Sequence, residues 1–385
     1  MYFLQFFPLG NATGGYPSTE IAIWVIAIGI LISTVLSILA FLGIAQSFQV
    51  RFLKSQIEVR LRLLESYAAS ASAAARQYLV DLGAKDPDGI VETANEYFSI
   101  SPVSIEPIDI IRRLERVLRT QEDRLEKLVE ANTSSSDKTR RQIAVTLLAI
   151  SNALSTIYKQ VRHILLLGVK SKSPILIAQL WMVLPLIMRI AKAYHDAIPD
   201  IRDGKPIGDS VGPMVAYRLM RTLPLVSPVE KVVKDTVYSV VELDGRKLVV
   251  VKAEGPGSTV GKPGEAVEKL AEAYSKDLQA IITVDAAAKL EGEPSGVVAE
   301  GAGVAMGDPG PEKIRIERIA VKYGIPIYAV IVKMSIEESI QALRKELVEG
   351  VERAVERVKE LVKTFVEPGK IAIVVGVGNT IGVAQ

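Results

Sequence analysis

The chain has 385 residues, 49% of them hydrophobic, and its 46 Lys and Arg nearly balance 44 Asp and Glu, leaving a formal net charge of +2. The basic residues are interleaved with Glu on helical stretches, so there is no electrostatic footprint for nucleic acid. With no Cys and only two His, His163 and His195, thiolate chemistry and disulfides are excluded and a histidine-rich zinc site is not expected.

Ile21 to Ala45 carries no charge and holds only Ser33, Thr34 and Ser37 as polar side chains. At about 1.5 Å per residue the run spans roughly 37 Å, enough to cross a hydrocarbon core of about 30 Å. Glu20 is the single charge before it, whereas Arg51, Lys54, Arg60, Arg62 and Arg76 follow with only Glu58 and Glu65 against them. The positive-inside bias therefore predicts a single-pass protein of the cell membrane, with residues 1–20 outside, a transmembrane helix at 21–46 and the remainder in the cytoplasm. A cleaved signal peptide fits less well, because there is no basic n-region and no small-residue cleavage site before Arg51. Asn11-Ala12-Thr13 is then a glycosylation sequon on the outer side.

From Ile44 to Leu82 there is neither Gly nor Pro, which predicts a helical stalk ended by Gly83 and Asp86-Pro87-Asp88-Gly89. Helices are expected at Ile108 to Ala131, from apolar residues at helical spacing, and at Lys138 to Leu167, capped by the polar loop Ser134 to Asp137. Ile175 to Met188 is nearly all apolar, but its length suits a buried bundle helix better than a membrane span; an interfacial segment is the alternative. Residues 47–198 thus read as a cytoplasmic helical stalk and bundle. Small residues from Ala68 to Ala75, together with the apolar stripes of Ile108 to Ala131 and Ile336 to Phe365, offer surface for a homo-oligomer. Membrane lipid is the other expected partner. Packing of each stripe within its own chain accounts for the same pattern.

Residues 199–385 change grammar. Val237 to Leu243 and Arg246 to Lys252 are strand-like runs joined by Asp244-Gly245, a hairpin signal. A helix at Glu265 to Ser275, a strand at Ala280 to Val284, a helix at Glu312 to Tyr323 and a strand at Ile327 to Val332 follow. A long helix from Ile336 to Phe365 and a last strand, Ile371 to Val375, complete the chain. Alternation of helices with continuous apolar strands predicts an α/β domain with a mostly parallel sheet. The long helix covers one face of that sheet or forms a coiled-coil seam. The fold class is α plus α/β.

Gly-rich and acidic turns at strand ends mark where such a sheet places a ligand, since glycine lets backbone pass close to it or offers amides to an anion. Gly257, Gly301, Gly303, Gly376 and Gly378 are the candidate ligand-cradling positions. Gly257 to Lys262 is not a Walker loop, because its glycine spacing is wrong and no Ser or Thr follows Lys262.

Three segments read together resemble the germination protease superfamily, which includes the spore germination protease and the hydrogenase maturation proteases. They are Gly208-Asp209-Ser210-Val211-Gly212-Pro213, Ile282-Thr283-Val284-Asp285-Ala286-Ala287-Ala288-Lys289 and Val375-Gly376-Val377-Gly378-Asn379-Thr380. Glu300 to Ala305 with Asp308-Pro309-Gly310 is similar to that group's later Gly-rich loop. In the family the Gly-x-Gly-Asn turn immediately precedes the first Asp; here it lies at the opposite end of the domain, so the match requires a circular permutation. The whole chain also resembles an uncharacterised family of archaeal membrane-anchored proteins.

The protease resemblance implies that Asp209 and Asp285 meet at the strand ends as a carboxylate pair, that Lys289 keeps Asp285 ionised, and that Asn379 and Thr380 orient a carbonyl. The hydrogenase relatives hold a divalent metal with carboxylates and a His; no His falls in residues 200–385, so a metal has neither His nor Cys ligands to support it and the cofactor stays open. On the residues alone, Asp209 equally reads as the cap of the helix at Ser210 and Asp285 as a strand end. Glu291, Glu293 and Glu300 add carboxylates that serve a metal or simply face solvent. The leading expectation is a membrane-anchored, germination-protease-like hydrolase, an aspartate-dependent peptidase; the alternative is a non-enzymatic, homo-oligomeric membrane scaffold or ligand sensor.

Overall fold

The computed structural model describes residues 27–35, 44–100, 102, 109–307 and 310–385. The segment 1–20 with its sequon, much of the run Ile21–Ala45, and Asp308-Pro309 lie outside the described residues. Within that run residues 27–35 are helical (α1), and their apolar side chains, Ile30 and Leu31 among them, are exposed.

Five helices follow: α2 (Ile44–Asp81), α3 (Pro87–Glu96), α4 (Ile110–Asn132), α5 (Lys138–Lys170) and α6 (Pro174–Arg202). α2 runs unbroken because nothing in it removes a backbone donor or favours a left-handed residue, and Gly83, with φ +72°, follows its end. Asp86 then caps α3 by accepting from the Gly89 N–H at 2.9 Å, with Pro87 at the first helical position. The chain divides into two compact units. One holds the described part of Met1–Val59 with Ile164–Met182; the other holds Arg60–His163 with Val183–Gln385.

Among the described residues, Pro174–Arg202 is the one helix long and apolar enough to cross a membrane by length and composition. It lies inside the chain, and only 22% of its most apolar window is buried. The expected bundle helix at Ile175–Met188 is the first half of α6 and is buried along one face only: Ile177, Leu180 and Leu184 are buried, whereas Ile175, Met182 and Leu186 are exposed. Pro185 lies inside the helix, which continues through it to Arg202.

The C-terminal part is built on one seven-stranded sheet of order β1-β2-β3-β7-β4-β6-β5. Its strands are β1 (Leu225–Val233), β2 (Thr236–Leu243), β3 (Arg246–Ala253), β4 (Leu278–Ala288), β5 (Val298–Ala302), β6 (Ile327–Met334) and β7 (Ile371–Gly376). The sheet is mixed, which corrects the expectation of a mostly parallel one: β3, β7, β4 and β6 run parallel, while β1-β2, β2-β3 and β5-β6 pair antiparallel. Two tight turns cause the first two of these antiparallel pairs. Asp235 between β1 and β2 and Asp244-Gly245 between β2 and β3 all take positive φ, the geometry that folds a strand straight back. β1 and β5 are edge strands in which polar and small residues interrupt the apolar alternation, which is why sequence pattern does not announce them.

The helices of this part are α7 (Val211–Thr222), α8 (Pro263–Ala273), α9 (Pro311–Tyr323), α10 (Ile336–Ile340) and α11 (Lys345–Phe365). Period-two burial sends Leu248, Val250, Ile282, Val284 and Val374 toward α7 and α11, and Val249, Val251, Ile281, Ile373 and Val375 toward α8 and α9. The expected single helix from Ile336 to Phe365 is broken. Ser335 and Glu338 form a capping box on α10, the chain is extended at Gln341, and Ala342 bridges Ile207. α11 then lays Leu347, Val351, Ala354, Val358 and Leu361 on the sheet.

Truncating a fully enclosed side chain of β4 should be costly. Ile282→Ala is expected to lower unfolding free energy by about 2–5 kcal/mol, read from the denaturant midpoint, whereas Leu225→Ala on exposed β1 should shift it by less than about 0.5 kcal/mol. Equal effects at the two positions would contradict the three-layer core.

Candidate active site at the ends of the central strands

β7 lies between β3 and β4, with Gly376 opposite Val284, so the chain leaving β7 passes directly beside the end of β4. The Val377 N–H donates to the Val284 carbonyl at 2.8 Å and fixes that passage. On the same side a single 3-10 turn, Gly208–Ser210, leads into α7. That turn is stapled from behind by the extended break between α10 and α11: Gly208 N–H donates to the Gln341 carbonyl at 3.0 Å and Leu343 N–H to the Pro206 carbonyl at 2.8 Å.

The three segments meet at van der Waals limits. A Cβ on Gly212 would sit 2.1 Å from the Val377 carbonyl oxygen and 2.5 Å from that of Val284. Gly378 has φ +126° and would place a Cβ 2.0 Å from the Asp209 carbonyl oxygen. Only glycine satisfies both positions.

This packing delivers two carboxylates to one cavity. Asp209 accepts from the Asn379 backbone N–H at 2.8 Å through Oδ2, while α7 has no side-chain cap, so the capping role open to it in the sequence is not the one it takes. Asp285 is 6% exposed and accepts from the Ala286 N–H at 2.7 Å and from the Gly307 N–H. The Gly307 loop is placed by Thr283, whose buried hydroxyl accepts from the Ala305 N–H at 2.7 Å. The strand does not stop at Asp285 but runs to Ala288.

Both aspartates line a cavity of about 590 Å³. Its walls are mainly apolar, from Leu118 of α4 through Val260 and Met306 to Met334, Ile336 and Val377. Burial pushes both carboxyls up. Asp209 is restrained by the Asn379 N–H, whereas Asp285 is raised well above the ordinary range by burial and then by the Asp209 charge, against its two amides and Lys313. The Asp209 charge thus favours the protonated form of Asp285, so the two carboxyls differ in their hold on a proton.

The remaining sequence candidates fall in distinct places. Lys289 follows β4, its N–H on the Met334 carbonyl, and its charge acts on Glu293 and Glu338; the cation acting on Asp285 is Lys313. The Asn379 side-chain amide donates to Ser258 Oγ at 3.0 Å, so the residue reaches Asp209 through backbone alone. Thr380 is fully buried and its hydroxyl bonds to the Gly257 and Thr259 carbonyls, a tie for the loop after β3. Gly378 lines the cavity and Gly376 packs against the Gly212 carbonyl, whereas Gly257 abuts Gln142 and Gly301 and Gly303 have open space where a Cβ would sit.

Glu291, Glu293 and Glu300 each pair with a different cation: Arg189, Lys333 and Arg357. Among the described residues no group of three or more His, Asp or Glu is placed to hold a metal ion.

A third carboxylate lines the cavity that sequence reasoning did not single out. Glu312 accepts from the Gly264 and Glu265 N–H groups at 2.7 and 3.1 Å, capping α8 from α9. Burial raises its affinity for a proton, and those two amides oppose the rise. No local signal marks it, because its partners lie some fifty residues away. Ser335 and Ser339 also line the cavity, and Ser335 was legible from the Ser-x-x-Glu capping box it opens.

Residues 31–204 match the family model described as "Protein of unknown function (DUF1512) N-terminal domain", and residues 207–384 match "Domain of unknown function (DUF1512) C-terminal". No curated protein matches the chain.

The raised carboxyls carry a stability signature. Folding retains a proton on Asp285 that the unfolded chain releases near the ordinary Asp range, so the native state loses stability as pH rises above about 4. Asp285→Asn keeps an amide oxygen that can accept from the Ala286 N–H without the charge. Its melting temperature should exceed that of wild type at pH 8, with the difference closing toward pH 3. A variant less stable than wild type across that range would contradict the assignment.

Proposed function

We propose that this chain, which belongs to the DUF1512 family through both of its domains, is a membrane-anchored hydrolase in which Asp209 and Asp285 cleave an amide bond as an acid–base pair. The observation that carries the reading is the convergence of two carboxyls, from separate segments, on one apolar cavity where burial raises the proton affinity of both and the Asp209 charge raises that of Asp285 further. The resemblance of the same segments to germination protease signatures supports a peptide as substrate. The uncharged run Ile21–Ala45 and the cations after it support anchoring with the cavity on the cytoplasmic side.

The chemistry follows from the asymmetry of the pair. Asp285, the more strongly raised, holds the proton; Asp209, stabilised by the Asn379 amide, is the base. A water between them gives a proton to Asp209 as its oxygen adds to the amide carbonyl. Asp285 gives its proton to the nitrogen as the C–N bond breaks, leaving a carboxylic acid and an amine. Leu118, Met306, Met334 and Ile336 form the wall against which an apolar side chain beside the scissile bond packs.

The test is a mass-spectrometric search for new termini after incubating full-length protein with a diverse peptide library. Wild type should cut beside apolar residues with a bell-shaped pH profile, and Asp209→Asn or Asp285→Asn should slow cleavage by about 10²–10⁴-fold. Cleavage that persists within about twofold in both variants, or none by wild type at any pH from 4 to 9, rejects the reading.

A further inference from the structure

The unit formed by the described part of Met1–Val59 with Ile164–Met182 has a composition unlike a soluble surface. Its charged residues are Arg51, Lys54, Lys170 and Lys172 against the single acid Glu58. Between these cations it exposes large apolar side chains: Met182 is 77% exposed, Ile175 68%, Phe52 58% and Leu166 54%. Leu167 and Val169 are exposed as well. Large apolar side chains exposed in this number within one small unit are held out of water by a partner or a lipid phase.

The α5–α6 apex that carries most of it is a built turn. The Ser173 N–H donates to the Gly168 carbonyl at 2.9 Å, the Ser171 hydroxyl to the Leu167 carbonyl at 2.8 Å, and Lys172 takes φ +52°. Gly168 lets the two helices close on each other, since a Cβ there would lie 2.7 Å from Ile177 Cδ1. The turn thus presents Lys170 and Lys172 beside exposed Leu166, Leu167, Val169 and Ile175.

We infer that this apex is a second membrane contact, lying on an anionic bilayer surface in the leaflet from which α2 emerges. Cations interleaved with apolar side chains match the interface, where lipid phosphates meet lysine and acyl chains take up Leu and Met. Continuity argues for the bilayer over a second protein copy: the unit that contains the apex also contains the start of α2, which begins at the end of the uncharged run Ile21–Ala45. The two lysines at the turn favour an apex at headgroup level over one inserted into hydrocarbon. The inference rests on the anchoring proposed above, and not on the aspartate chemistry.

Because the chain has no Cys, one introduced cysteine carries one spin label. Full-length Met182→Cys and Leu167→Cys, labelled and reconstituted in phosphatidylcholine–phosphatidylglycerol vesicles, should collide with dissolved oxygen several-fold more, relative to a water-soluble nickel chelate, than Lys345→Cys on exposed α11. Adding Lys170→Glu with Lys172→Glu, or omitting phosphatidylglycerol, should move both labels toward the chelate. A chain that floats with the vesicles but leaves both labels as open to the chelate as the control overturns the apex contact alone. A chain that stays in the aqueous phase overturns the anchor and the apex together. Spin–spin broadening between labels in place of lipid contact assigns the surface to a second copy and overturns the inference, and indifference to charge reversal overturns its anionic component.

Discussion

The hydrogen bond from the Asn379 amide to the Asp209 carboxylate joins segments 170 residues apart in the chain and orders the end of the sheet. It forms only because β7 is the central strand and because Gly212, Gly376 and Gly378 let three backbones touch where a Cβ would lie within about 2.5 Å of a carbonyl oxygen. Everything distinctive about the cavity follows: β7 hands its exit to Asp209, β4 carries Asp285 to the same place, and Gly307 donates its N–H to Asp285. The strain-free extended break at Gln341 to Leu343, which ends one helix early, supplies the backbone partners that hold the Asp209 turn from behind.

The same arrangement is costly in electrostatic terms. Two carboxyls that have lost water and share one cavity destabilise the fold wherever both are ionised, and an apolar pair would pack there without that penalty. A buried carboxylate with incomplete compensation is more economically understood as a working group than as a structural one. Glu312 makes the contrast: it lines the same cavity, but two helix N–H groups already occupy its oxygen.

The cavity mouth is bounded by α4, a helix whose sole fully buried residue is Val129. Charge holds it in place. Arg315 makes two bonds of 2.9 Å to Glu115, Arg119 reaches Glu265 at 2.8 Å and Lys262 reaches Glu122 at 2.6 Å. Burial pushes Glu115 upward, but Arg315 together with Arg119 and Lys262 holds the carboxyl below its ordinary range. Partly buried, shared pairs of this kind outlast isolated surface bridges, so Leu118 is kept at the cavity by a network rather than by a core.

Local chemistry determined much of this protein without tertiary help. The unbroken α2, the Asp86 cap, the Asp244-Gly245 turn and the apolar strands β4 and β7 are legible because backbone propensity and hydrophobic period act over a few residues. The sequence also marked Asp209, Asp285 and Gly378, through short motifs that sit at strand ends. Tertiary structure alone decided the rest. The antiparallel pairings at the two edges of the sheet add β1 and β5, whose solvated faces carry little apolar pattern. The break after α10 arises from pairing between Ala342 and Ile207, whose residues are far apart in the chain. The first half of α6 reads as a core helix because its residues are apolar, yet which side of an apolar helix finds a partner is a property of its neighbours. Glu312 and Leu118 reach the cavity for the same reason: a side chain's type is written locally, but the company it keeps is set by contacts across the chain.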